Sequence, residues 1–316
     1  MRVAVSDRIT NPDIEEKILG EKIASKPSKE TQVLLVWHEV VNKNYIDSLP
    51  NLKYIIRYGV GYDKVDVEYS RSKGILVSNT PDYCTDEVSD TAIAFIMASA
   101  RGICRYNYEA KSYREGWQEN VLTSIKRTSE TKLGIIGAGR IGQSTILKAK
   151  AMKFDVSFYD PYVTIGTEKV LNVRRHQSLQ ALLQESDIVS LHVPLTAETK
   201  GLVDENFLSQ MKAGASLVNT ARGGVVKDLD LFIDPLKNGT LSSVFLDVLP
   251  KEPDFTSQLF QAWKTRESWI NGRVVINPHS AFYSQEAGIE MREKVALNAK
   301  KFLNDQKPDA LIQELL

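Results

Sequence analysis

"KLGIIGAGRIGQSTILKAKAMKFDVSFYDP", residues 132–161, joins a buried-type strand to a glycine-rich turn, a helix and a second strand. The first strand is predicted over Leu133–Ile136, and the glycines of a GxGxxG pattern follow at Gly137, Gly139 and Gly142. The first glycine permits the tight turn, the second lets the backbone approach a pyrophosphate, and the third lets the helix pack close to the strand. Amides at the helix start would then face an anion, assisted by the helix dipole. The segment therefore predicts a dinucleotide-binding unit.

The second strand of this unit, "DVSFY", is followed by Asp160. A carboxylate there can accept hydrogen bonds from the adenosine ribose hydroxyls and would repel a 2′-phosphate, so the expected cofactor is NAD rather than NADP. Arg140 and Ile141 in the turn are further candidate cofactor contacts, although Arg140 is equally typical of a solvated helix residue. The structural alternative, a glycine-rich turn with an ordinary surface aspartate, is disfavoured by the complete strand-turn-helix-strand context.

Short β-branched runs alternate with amphipathic segments along most of the chain, a pattern that predicts parallel sheets covered by helices. The runs are "RVAVS", "QVLLVW", "KYIIRY" and "GILVSN" before residue 80, then "KLGIIGAG", "DVSFYD", "DIVSLHV", "ASLVNT", "SSVFLDV" and "RVVINP". The expected fold class is α/β, with two Rossmann-like or flavodoxin-like domains of parallel strands and a cleft between them.

An apolar segment of helical period, residues 86–103, marks the expected domain boundary, and a polar aromatic loop is expected to follow it before the strand that starts at Lys132. The last predicted helix, residues 285–304, is expected to return to the first domain. The expected substrate domain is therefore residues 1–98 plus 284–316, and the expected NAD-binding domain is residues 99–283.

Composition excludes several classes of function. The chain has 316 residues, enough for two domains, and its forty Lys and Arg balance forty Asp and Glu, so no net field attracts nucleic acid or an anionic membrane. No apolar run approaches the roughly 20 residues that span a bilayer, and "MRVAVSDRIT" lacks the apolar core of a secretory signal. Two cysteines make neither a disulfide framework nor a metal cluster. We expect a cytoplasmic protein with no nucleic-acid partner, no membrane partner and no metal.

A nicotinamide cofactor requires the protein to hold a substrate carbonyl, polarise it and move one proton. Arg222 follows the predicted strand "ASLVNT", at the carboxyl end where ligands bind in an open α/β sheet. Its guanidinium could bind a substrate carboxylate and polarise the keto oxygen. Pairing with a surface acid is the alternative, and the glycines that follow, Gly223 and Gly224, favour close approach of a ligand.

His279 follows the strand "RVVINP", and the preceding strand "SSVFLDV" ends at Asp247 and leads to Glu252. Glu252 alone is typical of a turn before proline. Adjacent strands would nevertheless bring a carboxylate and an imidazole to one sheet edge, where the carboxylate fixes the tautomer and stabilises the protonated ring as a proton donor. His192, at the end of "DIVSLHV", could line the cofactor site.

Several motifs, in this order, resemble those of the D-isomer-specific 2-hydroxyacid dehydrogenases over essentially the whole chain. They are "RYGVGYDKVD", "GIIGAGRIG", "LHVPLTAETKGLV", "NTARGGVV", "LDVLPKEP" and "NPH". The tail "HSAFYSQEAGIEMREKVALNAKKF" is most similar to the branch that contains the C-terminal binding proteins.

The resemblance implies hydride transfer between NAD and C2 of a D-2-hydroxy acid or 2-keto acid. Arg222 would bind the substrate carboxylate and carbonyl, Glu252 would orient and tune His279, and His279 would be the general acid/base. Further implied cofactor contacts are Val193 and Pro194 beside the adenosine half, and Asn219, Thr220, Ala221 and Asp247 on the nicotinamide side. Implied substrate contacts are Arg57, Tyr58, Gly59, Val60, Gly61 and Phe282.

Phe282 stands where vertebrate C-terminal binding proteins have tryptophan. The resemblance also implies a homodimer, with residues 86–103 and 106–117 as the natural interface. The rival function is a binding protein of the C-terminal binding protein type, which senses NADH with little or no turnover. Because the arginine, acid and histidine are all retained, the enzyme is preferred, with glyoxylate, hydroxypyruvate, phosphoglycerate and larger keto acids all open as substrates.

Overall fold

The structure, a computed structural model, describes residues 1–112 and 119–312. The chain divides into two units, one of Met1–Cys84 with Tyr283–Leu316 and the other of Thr85–Phe282. Strands alternate with helices in both units, and all paired strands of the two sheets are parallel. The expected α/β class is therefore confirmed. No helix within the described ranges is long and apolar enough to cross a membrane.

The first unit contains a four-stranded sheet in the order β1-β2-β3-β4. Its strands are β1 (Val3–Val5), β2 (Val33–Val36), β3 (Tyr54–Arg57) and β4 (Leu76–Ser78), and its helices are α1 (Asp13–Leu19), α2 (Lys43–Asp47), α3 (Val67–Ser72) and α12 (Gln285–Leu303). An isolated parallel bridge joins Ala24 to Ala4 of β1. This bridge lies in sequence between β1 and β2, so the edge has the flavodoxin-like order.

The second unit contains a seven-stranded sheet in the order β11-β10-β9-β8-β5-β6-β7. Its strands are β5 (Lys132–Ile136), β6 (Asp155–Tyr159), β7 (Arg174–Arg175), β8 (Ile188–Leu191), β9 (Ala215–Asn219), β10 (Leu241–Leu246) and β11 (Val274–Ile276). Its helices are α4 (Thr85–Ala100), α5 (Ile103–Glu109), α6 (Arg140–Ala151), α7 (Thr167–Leu171), α8 (Leu179–Glu185), α9 (Glu205–Gln210), α10 (Ile233–Asn238) and α11 (Gln258–Thr265). The order reverses between β5 and β8, which is the switch point where dinucleotides bind in Rossmann folds.

Helix α4 belongs to the second unit, whereas the expected boundary placed residues 85–98 in the first. The physical reason is its buried face. Phe95 packs against Phe245 of β10 with ring centroids 5.5 Å apart, and Ile93 and Ile96 join the same apolar cluster as Leu133 of β5. Burial of this stripe against the sheet outweighs the sequence proximity of the helix to β4.

The segment after α4 also differs from the expected loop, because it begins with the helix α5. Gly102 adopts a left-handed φ of 60° that ends α4 and starts α5. None of the residues of α5 is buried, so its sequence lacks the apolar stripe that would have predicted a helix. Residues 113–118 of the expected interface loop lie outside the described residues.

Candidate active site

The expected functional side chains of the second unit follow the carboxyl ends of neighbouring parallel strands. Gly137 follows β5, Asp160 follows β6, His192 follows β8, Arg222 follows β9, and Asp247 and the turn containing His279 follow β10 and β11. Buried, in-register strands fix this edge, since β8, β9 and β10 are almost wholly inaccessible to solvent. The edge is therefore a rigid frame on which polar side chains converge.

The glycines of the first turn are required by close contacts. Gly137 has a φ of 92°, and a Cβ there would lie 2.7 Å from the carbonyl oxygen of His192. A Cβ on Gly142 would lie 2.0 Å from the carbonyl oxygen of Gly137. A Cβ on Gly139, in contrast, would meet nothing within 4 Å. The turn is thus packed against β8 on one side and open at Gly139, where a pyrophosphate can approach the backbone.

The start of α6 is suited to an anion. Gly139 is its N-cap, no side chain caps its first turn, and the first turn contains no acidic residue. Amides in such a turn require partners, and the dipole favours a negative charge there. Arg140 is exposed and Ile141 is half-buried at this end of the helix.

Asp160 is fixed against the glycine turn. Its Oδ2 accepts a hydrogen bond from the Ala138 amide at 2.8 Å, and its Oδ1 accepts from the Tyr162 amide at 2.8 Å and from the Val163 amide at 3.2 Å. The carboxylate therefore sits at the tip of β6 with both oxygens oriented by backbone amides. That is the position from which a carboxylate recognises the ribose of NAD.

Two buried polar atoms at this edge have no partner within the described residues: Nδ1 of His192 and Oγ1 of Thr220. The other ring nitrogen of His192 lies 2.9 Å from Ser190 Oγ, and burial lowers the pKa of His192 to about 4, so the ring is neutral at pH 7. Unpartnered buried polar groups destabilise a fold and are a sign of a ligand. Together with the open glycine turn, they show that these residues fit a dinucleotide. Val193 is half-buried and Pro194 exposed beside them.

Asn219 holds the turn that presents Arg222. Its Oδ1 accepts from the Ala221 amide at 3.0 Å, and its Nδ2 donates to the Arg222 carbonyl at 3.1 Å. Asn219 is fully buried, so its side chain fixes the backbone on either side of Ala221. Asn219, which was expected as a cofactor contact, thus has a structural role that the sequence did not reveal.

Gly223 brings the Arg222 turn against the loop after β10. A Cβ on Gly223 would lie 1.7 Å from the carbonyl oxygen of Leu249, which only glycine avoids. The Leu249 amide, in turn, donates to Oε1 of Glu252 at 2.8 Å. The backbone contact between Gly223 and Leu249 therefore sets the distance between the turn that carries Arg222 and the carboxylate of Glu252.

Glu252 and His279 form a direct pair, with Oε2 and Nδ1 2.7 Å apart. Burial disfavours the charge of Glu252, but the hydrogen bond and charge of His279, the Leu249 amide and the charge of Arg222 together lower its pKa below the ordinary value. An ionised carboxylate only accepts, so Nδ1 of His279 donates the hydrogen bond. This leaves Nε2 to exchange a proton with a substrate.

Asp247 accepts three hydrogen bonds from backbone amides of the turn that contains His279. Its carboxylate accepts from the Ser280 amide at 2.9 Å and from the Ala281 amide at 3.0 Å, and its carbonyl accepts from the His279 amide at 2.8 Å. His279 has a left-handed φ of 56°, which costs about 1 kcal/mol and needs such support. Burial raises the pKa of Asp247. The sequence predicted a cofactor contact for Asp247 but not this structural role, because residue spacing alone does not reveal backbone hydrogen bonds.

Phe282 lies on another side of the imidazole. Its ring meets the ring of His279 edge to face, at 82° and 6.1 Å between centroids. The imidazole is therefore confined by a carboxylate and an aromatic ring, and its orientation is restricted.

The expected substrate loop of the first unit follows β3. Tyr58 is buried there, and its hydroxyl donates to Glu15 Oε1 at 2.8 Å, so its side chain is directed into the core, contrary to the expected substrate contact. Gly59 has a φ of 132°, and its amide donates to Thr80 Oγ1 at 3.3 Å. Across residues 1–112 and 119–312 no hydrogen bond engages the amides of Val60 and Gly61. Those two amides, rather than Gly59, are the ones available to an anion.

A family model described as "D-isomer specific 2-hydroxyacid dehydrogenase, NAD binding domain" matches residues 93–281. The glyoxylate reductase of Thermococcus litoralis is 35% identical over 302 residues, which are 94% of this chain and 86% of that protein. The glyoxylate reductase of Pyrococcus horikoshii is 34% identical over 304 residues, covering 94% and 87%.

Among solved structures, D-lactate dehydrogenase from Aquifex aeolicus, complexed with NAD and lactic acid, superposes with a TM-score of 0.84 at 28% identity, covering 96% of this chain and 95% of that one. The family model spans more than half of the chain, and the relatives match nearly all of it. The geometry of the sheet edge and these matches agree: the chain belongs to the D-isomer specific 2-hydroxyacid dehydrogenase family and is an NAD-dependent oxidoreductase.

Proposed function

We propose that this chain reduces a small 2-keto acid to the D-2-hydroxy acid, with Arg222, Glu252 and His279 as its catalytic residues. The proposal rests on one observation, the 2.7 Å contact between Glu252 and His279 at the strand edge that also bears Arg222. A carboxylate-oriented imidazole beside a guanidinium is suited to polarising a carbonyl and protonating its oxygen.

NADH supplies a hydride when it is bound. Arg222 binds the substrate carboxylate through its planar fork and polarises the keto oxygen. His279 donates the proton on Nε2 to that oxygen as negative charge develops, and Glu252 stabilises the positive ring before the transfer. Because the pKa of Glu252 is lowered below the ordinary carboxyl value, its carboxylate is ionised at neutral pH and accepts the hydrogen bond from His279 Nδ1.

The dinucleotide would be held by the turn Gly137–Gly142, with Asp160 on the ribose and His192 and Thr220 supplying the buried polar atoms. Arg140, Ile141, Val193, Pro194, Ala221 and Asp247 remain proposed contacts. In the first unit, the Val60 and Gly61 amides are proposed to bind a substrate carboxylate. Arg57 and Phe282 are proposed to contact substrate.

Glyoxylate is the first substrate to test, since two relatives that are about one third identical over nearly the whole chain are named glyoxylate reductases. A binding protein with little turnover is disfavoured by the same names and by the intact pairing of Glu252 with His279. The resemblance of the tail to the C-terminal binding protein branch stays a prediction.

The test measures NADH oxidation by purified protein with glyoxylate, hydroxypyruvate, pyruvate and a bulky 2-keto acid. Arg222→Gln keeps a polar side chain but removes the charge and the guanidinium fork, and it serves as the blank. We expect turnover that is fastest on the small acids and that falls at least about 100-fold in the variant. Turnover that survives Arg222→Gln, or tight NADH binding without turnover on any acid, would overturn the proposal.

We also propose a homodimer located in the cytoplasm. Support for the dimer comes from α5, which has no buried residue and whose Ile103 is 55% exposed. An exposed apolar side chain on an uncovered helix is typical of a surface that contacts another subunit. Sedimentation velocity at micromolar concentration should give twice the mass of the chain, and cell fractionation should recover the protein in the cytoplasm. A monomer at these concentrations would contradict the dimer.

A further inference from the structure

The amino ends of the seven-stranded sheet, opposite the edge described above, line a partly open cavity of about 190 Å³. Strand starts supply much of its lining, including Asp187 before β8, Gly214 before β9 and Arg273 before β11. Residues at the end of α4 and from the segment before β5 complete it. The cavity lies wholly within the second unit and shares no lining residue with the candidate active site.

The cavity is basic. Its lining contains the cations Arg105, Lys126, Lys212 and Arg273 and a single carboxylate, Asp187. Both lysines are bound to that carboxylate, with Nζ atoms 3.0 Å and 2.7 Å from its Oδ1. No acidic group of the lining is therefore left for the two arginines.

Gly272 brings the backbone segments that carry the two arginines together. Its φ is 68°, and a Cβ there would lie 2.5 Å from the Cα of Arg105. This contact seats the backbone of Arg105 directly beside the residue that precedes Arg273. Burial and the charge of Arg105 lower the pKa of Arg273, as expected for like charges held close together.

Within residues 1–112 and 119–312, neither arginine is paired with a carboxylate. Arg273 donates to the carbonyl oxygens of Ser242 at 2.9 Å, Leu241 at 2.7 Å and Trp269 at 3.4 Å, which carry no charge. The Arg105 guanidinium makes no hydrogen bond or ion pair in the part of the chain that the structure describes. Half-buried like charges repel unless an anion lies between them.

Serine hydroxyls add neutral hydrogen-bonding groups to the same cavity. Ser216 of β9 and Ser243 of β10 are buried where parallel strands are otherwise apolar, and their Oγ atoms are 2.8 Å apart. Ser99 extends the chain, with its Oγ 3.3 Å from that of Ser243. Hydroxyl and guanidinium groups are both donors that bind phosphate oxygens.

We propose that this cavity is a second anion site, which binds a compact oxyanion of two or more charges, of the phosphate class, between Arg105 and Arg273. The volume accommodates an inorganic phosphate or the phosphate of a small monoester and is too small for a dinucleotide. Guanidinium groups bind an oxyanion through hydrogen bonds as well as through charge, so they favour it over chloride.

The test is a calorimetric titration of inorganic phosphate into protein saturated with NADH, so that the dinucleotide turn is already filled. Sodium chloride at equal ionic strength is the salt control. Arg105→Gln removes a guanidinium that makes no hydrogen bond to the described residues, so the fold should survive. Arg127→Gln is the matched control, because it removes the same charge from an exposed arginine outside the cavity.

We expect saturable phosphate binding that Arg105→Gln weakens by about tenfold or more and that Arg127→Gln leaves within about twofold. A parallel titration with glycerol 3-phosphate separates the sources: tighter binding of the ester indicates a phosphorylated metabolite, and weaker binding indicates the free ion. The proposal is overturned if wild type shows no saturable binding, or if both variants lose affinity equally. It is also overturned if Arg105→Gln changes only the sedimentation coefficient, which would make the cavity a contact for a second copy of the chain.

Discussion

Gly223→Ala should damage catalysis by moving two loops apart. The added Cβ would lie 1.7 Å from the Leu249 carbonyl oxygen and 2.1 Å from its carbonyl carbon, both backbone atoms that cannot rotate away. Ordinary contact begins at 3.4 Å, so the loops must separate by about 1.7 Å. One loop carries Arg222, and the Leu249 amide in the other holds Glu252.

A misplacement of about 1 Å can slow catalysis by about 100-fold, so kcat/KM should fall by about that factor or more. Overpacking of this kind should also destabilise the fold by about 1–3 kcal/mol. Gly224→Ala is the matched control: its Cβ would meet only the Leu195 side chain, with Cδ2 at 3.0 Å and Cδ1 at 3.3 Å, and a rotamer change can relieve both contacts. Neither glycine has a positive φ, so the two variants differ in contacts rather than in backbone strain.

The assay follows NADH oxidation with glyoxylate, alongside NADH binding by fluorescence and thermal unfolding to confirm that each variant is folded. Gly223→Ala should bind NADH normally and lose kcat/KM, while Gly224→Ala stays within about threefold of wild type. A folded Gly223→Ala enzyme with wild-type kcat/KM, or equal losses in both variants, would refute this coupling of the two loops.

Three further variants test other parts of the site. Asp160→Ser should raise the KM for NADH and reduce the preference for NADH over NADPH by about tenfold, measured by kcat/KM with each cofactor; an unchanged preference would remove Asp160 from ribose recognition. The pKa of Glu252 is lowered, so its carboxylate loses the negative charge only as pH falls below the ordinary carboxyl pKa of 4.5. A step in the pH profile of kcat that is centred above pH 4.5 and is absent from Glu252→Gln would contradict this. Asp247→Asn can no longer accept from both the Ser280 and Ala281 amides, so it should lower the free energy of unfolding by about 1–3 kcal/mol, and unchanged denaturant unfolding would show that these bonds contribute little.

The fold was readable from local signals where burial and chain direction agree. Runs such as "DIVSLHV" and "SSVFLDV" are apolar because parallel strands are covered on both faces, and they became β8 and β10. The glycines at 137 and 142 were readable because a turn with no room for a Cβ admits little else. The two-residue β7 was missed, since Arg174–Arg175 is too short and too polar to show a strand pattern.

Tertiary contacts account for the differences. The sequence of α4 predicts a helix with an apolar face but does not indicate which of the two sheets that face covers. The packing of Phe95 on Phe245 assigns the helix to the second unit. Tyr58 lies within a glycine-rich loop, but its hydroxyl binds the buried Glu15, a contact across 43 positions of sequence. The support that Asp247 gives to the histidine turn likewise depends on backbone geometry that no spacing rule contains.

The central claim, that His279 moves the proton while a separate turn holds the cofactor, is tested most directly by His279→Ala. In one preparation, the NADH dissociation constant and kcat for glyoxylate are measured for wild type and variant. We predict an unchanged dissociation constant and a kcat reduced by about 100-fold to 10,000-fold, the range for loss of a general acid. A variant that keeps wild-type kcat would contradict the claim.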